Sequence, residues 1–242
     1  MSCCNRRDNF IRNDKKELDL AIKQFARTEA QGEAIVFDLN FVLGNIDEHS
    51  KSPINFTVLA ADVDEFRKLT SQAVIIFVDS VNAVNTLIEL VQLTKYDLER
   101  CINDGKCENI MIKCSSSKPQ IIKNDCRKTT NNTSMSACSP KIVADNINTL
   151  LANLSTYLNR IGNSTGYLET LGDYILALGR AVAAGNTVTT QSIVKQIDDL
   201  FVIINGNEKL IVEIFDTVYF GLMAFSSSLL FCGFVESCSK MI

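Results

Sequence analysis

The sequence predicts an all-α protein: an elongated antiparallel bundle of about five or six helices, with a Cys-rich irregular linker between two helical halves. Three observations carry this. Apolar residues make up 46% of the 242 residues, enough for a sizeable core. Only 3 prolines and 11 glycines punctuate the chain, and tryptophan is absent, so long stretches are free of helix breakers. Apolar residues also recur at three- and four-residue steps, the spacing of a helix with one buried face.

In chain order, residues 1–13 are polar and read as a flexible arm carrying Cys3 and Cys4. The first helical half, 14–101, opens at Asp14, an N-cap with Glu17 at capping-box spacing. Leu18, Ile22, Phe25 and Ala26 form its first apolar stripe, with Ile35, Phe37, Phe41 and Val42 beyond a kink at Gly32. A turn over Asp47–Pro53 holds the one histidine, His49. From Val58 to Cys101 one long helix is expected. Val63, Phe66, Thr70, Ala73, Phe77, Val81, Val84, Ile88, Val91 and Leu98 form its seam, with a break expected near Ser71.

Residues 102–139 lack periodicity and are rich in Asn, Ser, Lys and Cys, a length that marks a functional or disordered loop. Between Ile102 and Lys141 seven basic residues face three acidic ones, so this segment is +4 and the remainder −8 of a net −4. Such an acidic body excludes a generally basic nucleic-acid binder. In the second half, 140–242, Ser139 and Pro140 start a helix expected to stop at Gly162. A second helix ends at Gly185, a third runs from Thr189 to Ile204 and is closed by Asn205-Gly206, and a fourth starts at Asn207. The uncharged stretch 217–235 is long enough to span a bilayer. Its acidic flanks and three central serines favour a buried bundle helix instead.

Motifs for catalysis are missing. His49 is the one candidate general base, no Gly-rich loop binds phosphate or dinucleotide, and Asp97, Glu99, Asp198 and Asp199 read as solvated helix faces. The expectation is a protein that is not an enzyme and holds no cofactor. Cys101, Cys107, Cys114, Cys126 and Cys138 lack the close Cys pairs of a structural zinc site, so no metal is expected and disulfides are. Cys232 and Cys238 lie six residues apart near the C-terminus. Cys3 and Cys4 are adjacent, a spacing at which side chains point apart and reach other partners more readily than each other.

A short arm with adjacent cysteines, Met1–Asn5, resembles the connector arms of bacterial endospore-appendage subunits, which cross-link stacked subunits covalently. Those subunits are β-sandwiches, so the resemblance implies an intermolecular staple and not a fold. The first thirty residues are polar and offer no apolar core for a secretory leader, so none is expected. The expected setting is synthesis in the cytoplasm, followed by lysis-dependent release or assembly on a spore or particle surface. The function expected from these features is structural: copies of the chain pack into a filament, layer or shell. All nine cysteines (Cys3, Cys4, Cys101, Cys107, Cys114, Cys126, Cys138, Cys232 and Cys238) are candidate cross-links, and the partners are other copies of the chain. The alternative is a membrane-active helical protein using 217–235.

Overall fold

A computed structural model describes residues 3–103 and 140–231. Among them the secondary structure is entirely helical, in four long helices: α1 (Cys3–His49), α2 (Phe56–Asn103), α3 (Pro140–Ala183) and α4 (Thr187–Phe231). The all-α class therefore stands, with four described helices where five or six were expected. From residue 104 the Cys-rich linker lies outside the described residues.

The seams explain the length of the helices. In α2 the buried positions Leu59, Val63, Phe66, Thr70, Ala73, Phe77, Ser80, Val84, Leu87 and Val91 alternate four- and three-residue steps without a slip. In α3 the same alternation runs through Ile147, Leu150, Leu154, Tyr157, Ile161, Ser164, Leu168, Leu171, Ile175 and Leu178. A seven-residue repeat of this kind keeps one stripe of each helix against its neighbours over many turns. Strict repetition also corrects the α2 seam: Ser80 and Leu87 are buried, while Val81 and Ile88 are half-exposed.

Several expected interruptions are bridged. Gly32, Ser71 and Gly162 all lie inside helices, because the seam continues on both sides of each. A helical glycine costs only about 1 kcal/mol relative to alanine, less than the burial of one large seam residue. Asn205-Gly206 looks like a turn but lies within α4. Asn205 exchanges two amide hydrogen bonds with Asn40 of α1, at 3.0 and 2.9 Å. Asn207 is buried and donates to Ser164 Oγ (2.7 Å) and to the Arg160 carbonyl (3.0 Å) of α3. These amides bond across helices, so they do not compete with the helix locally.

The expected stop at Gly185 does occur. Gly185 has φ +63°, its N–H donates to the Val182 carbonyl, and the N–H of Asn186 donates to the Ala181 carbonyl. These two bonds form a Schellman C-cap. Asn186 then accepts from the N–H of Thr189 (3.0 Å) and caps α4. Opposite effects are expected from one substitution at two sites. Gly162→Ala, whose added methyl meets nothing within 4 Å beyond its chain neighbours and its own helical backbone, should stabilise by about 0.5–1 kcal/mol. Gly185→Ala should destabilise by about 1–2 kcal/mol, because it forces an L-residue into the left-handed region. Thermal unfolding of the two variants checks both signs.

Packing divides the chain into two compact units, each drawing a segment from all four helices. One comprises 24–84 with 156–216, and the other the described parts of 1–23, 85–155 and 217–242. In the first unit Asn40 and Phe25 of α1 meet Asn205 and Phe215 of α4, Phe25 also meets Tyr157 of α3, and Phe66 of α2 meets Phe201 of α4. In the second, α1 and α4 meet at Asp19 and Ser226, and α2 and α3 at Lys95 and Asn148.

Candidate functional site: buried carboxylates and outward apolar faces

The helix carrying the expected N-terminal arm begins at Cys3 in the structure, so Asp14 is an interior helical residue and not a cap. Cys3 and Cys4 occupy the first positions of α1, and Cys101 lies in the last turn of α2. Cys107, Cys114, Cys126, Cys138, Cys232 and Cys238 lie outside the described residues.

Not all of the residues expected to be solvated or lone are so, and Glu99 is ion-paired with Lys95 at 3.6 Å. His49 ends α1, and its Nδ1 lies 2.6 Å from Asp62 Oδ2 of α2. Asp97 lies beside Asp14, which is buried and whose Oδ2 has no hydrogen-bond partner. Burial, then the Asp97 charge, then Glu17, push the Asp14 carboxyl up to about 6. Asp198 is half-buried, and its carboxyl is also raised, first by burial and then by Asp47 and Asp199. Nearby in sequence but opposite in behaviour, Asp19 falls below the usual carboxylate range. Burial pushes it up, but hydrogen bonds from Lys15 (2.5 Å) and Ser226 (2.5 Å) outweigh this. Ser226 is one of the three serines in the apolar stretch 217–235. Its bond to Asp19 turns the middle of that stretch into the bundle, where Val218, Leu222, Phe225 and Leu229 are also buried.

A second buried acid was not singled out by sequence motif. Glu29, 7% exposed, accepts a short hydrogen bond from the hydroxyl of fully buried Tyr157. The rings of Phe25, Phe215 and Tyr157 form one cluster, with the Phe25 centroid 5.0 Å from each of the other two and Phe215 6.4 Å from Tyr157. Burial pushes Glu29 up to about 7 against the opposing effect of the Tyr157 hydrogen bond, with Glu33 adding to the rise. Glu208 of α4 also rises to about 7, through burial first and then through Glu33 and Glu29. The signal for Glu29 was its place on the seam: Phe25, Glu29, Gly32, Val36, Leu39, Leu43 and Ile46 alternate four- and three-residue steps. Chemically this layer can hold and release protons. Among the described residues no group of three His, Cys, Asp or Glu side chains is arranged to hold a metal ion.

The outer faces contain a second surprise. Phe37 and Phe41, expected in the core, are 71% and 65% exposed. The α1 seam takes Ile35, Val36, Leu39, Val42 and Leu43, and the two phenylalanines lie on the opposite side. Further large apolar side chains face outward: Ile75 on α2, Val202 and Ile203 on α4 in the first unit, and Tyr96 and Phe220 in the second. No family model, no curated protein and no solved structure matches the chain.

Proposed function

We propose that the chain is a structural, self-assembling protein whose copies pack side by side through their helices and are fastened by disulfides. The observation that best supports this is the outward display of large apolar side chains, Phe37 and Phe41 foremost, by a bundle whose own seams are already filled. Contiguous exposed apolar surface marks a face that another surface covers. Cys3 and Cys4 at the start of α1 are the candidate intermolecular cross-links. Each such bond joins two thiols, with two electrons and two protons passing to dioxygen or to an exchanging disulfide.

Sedimentation, paired reducing and non-reducing gels, and negative-stain microscopy test the proposal. Multimers that survive denaturant without reductant and fall apart with it are expected. Cys3→Ser together with Cys4→Ser should leave the helical content unchanged and weaken those multimers. A chain that remains a monomer at all concentrations, even under oxidant, would refute it.

A second reading has its own support. Two helical stretches, Phe56–Asp97 and Thr187–Leu229, are long and apolar enough to cross a bilayer. Both carry buried seams, yet only 33% and 28% of their most apolar windows are buried. Dye release from liposomes by the soluble protein would favour this reading over assembly.

A further inference from the structure

The outer side of α1 carries a heptad seam of its own. Ala30, Ala34, Phe37, Phe41 and Gly44 follow four-, three-, four- and three-residue steps, and all five are exposed. At 100° per residue they lie about half a turn from Leu39 and Ile46, which face the core. A helix buried along one heptad stripe rarely needs a second one. A second stripe with the same period fits another helix laid along it.

We infer that this stripe is an interface with the α1 of a second copy, paired antiparallel about a two-fold axis. The inference rests on the self-assembly proposed above and names its contact. Residue order selects the orientation. In the antiparallel register that alternates seam positions, Phe37 faces Ala34 of the other copy and Phe41 faces its Ala30, so each ring meets a methyl-sized partner. Arg27 then faces Gly44, whose missing side chain leaves the guanidinium free to reach Glu48 one turn on. Arg27 and Glu48 are both exposed, and the Glu48 contact with Lys51, at 3.6 Å between two exposed side chains, is of the kind worth little. Along the flanks Asp38 opposes Gln31, a carboxylate against an amide, and Glu33 opposes Asn40, whose own amide is already held by Asn205 and the Val36 carbonyl, so no like charges meet.

A parallel pair would do the reverse. It would set phenylalanine beside phenylalanine and alanine beside alanine. It would also bring Glu33 against Asp38 and align both Arg27 side chains, placing like charges together. The antiparallel arrangement is isologous, so it closes as a dimer and leaves other faces for growth of an assembly.

The full chain is tested under reducing conditions, so that disulfides do not mask non-covalent association, by sedimentation over a concentration series. Wild type is expected to dimerise, and Phe37→Glu with Phe41→Glu to weaken the dimer at least tenfold at unchanged helical content. Arg27→Glu should weaken it severalfold, and Arg27→Glu combined with Glu48→Arg should restore it. A benzoyl-phenylalanine photocrosslinker in place of Phe41 should mark the region around residue 30 of the other copy. Marking around residue 41 would mean a parallel pair and overturn the inference. Association unchanged in the double-glutamate variant, or assembly that appears only under oxidant, would overturn this interface while leaving self-assembly standing. A wild-type monomer under every condition would overturn both.

Discussion

The protein is expected to be more stable at pH 5 than at pH 8, by about 2–3 kcal/mol from Glu29 alone. Glu29 titrates near 4.5 in the unfolded chain and near 7 when folded. Between those values the folded state holds a proton that the unfolded chain has released. Stability from this group is therefore complete below about 4.5 and is lost as pH rises through 7. Glu208 and Asp14 shift in the same direction, so they steepen the slope and do not offset it. Asp19 shifts the other way, and its contribution is lost only below its ordinary range. Most soluble domains lose stability in mild acid, so the expected sign is unusual. Urea unfolding at pH 5, 6, 7 and 8 measures it. Glu29→Gln keeps an acceptor for the Tyr157 hydroxyl while removing the charge, and should flatten much of the slope. A midpoint that is constant or rises from pH 5 to 8 would show that Glu29 does not keep its proton in the fold.

The helical class and most of the α2 seam were legible because a long stretch with one apolar face has one sensible period, though spacing alone put Val81 and Ile88 where Ser80 and Leu87 are buried. The number of helices was not. Gly162 and Asn205-Gly206 are genuine local stop signals, but the cost of a helical glycine is small beside continuous seam burial. The amides of Asn205 and Asn207 find their partners, Asn40, Ser164 and the Arg160 carbonyl, only when other helices are in place. At Gly185 the same kind of signal succeeds, since no seam position immediately follows it and a positive φ there serves the hairpin.

For the candidate site, a search for catalytic and metal motifs passes over Glu29, whose meaning is positional. It is a charged residue on a seam otherwise filled by Phe25, Val36 and Leu39, and Tyr157 is the seam residue of α3 that meets it. Phe37 and Phe41 illustrate the complementary difficulty. With spacing alone, α1 offers two stripes of helical period, and bulky aromatics draw the assignment towards the wrong one. The contest is settled by number: Ile35, Val36, Leu39, Val42, Leu43 and Ile46 together offer more apolar surface than two rings among alanines and a glycine. What the core left over became the surface with the clearest pattern for a partner.

Two phenylalanines of one helix are expected to differ by several kcal/mol when truncated. Phe25→Ala should cost about 3–5 kcal/mol, the usual range for emptying a buried aromatic site. Phe25 is 0% exposed and contacts both Tyr157 and Phe215. Part of the loss should be shared with Phe215: a double-mutant cycle between them should return a coupling of about 0.5–1.5 kcal/mol. The cavity would also admit water beside Glu29, lowering the cost of its charge. Phe25→Ala should therefore weaken the pH dependence as well as the fold. Phe41→Ala, at a site 65% exposed, should change unfolding of the isolated chain by no more than about 0.5 kcal/mol. It should instead shift the concentration at which copies associate. Denaturant unfolding at low protein concentration, with sedimentation on the same samples, separates the two readouts. A Phe41→Ala variant as unstable as Phe25→Ala would place Phe41 in the core and remove the outer seam. A Phe25→Ala variant close to wild type would mean that the aromatic layer around Glu29 is not packed as described.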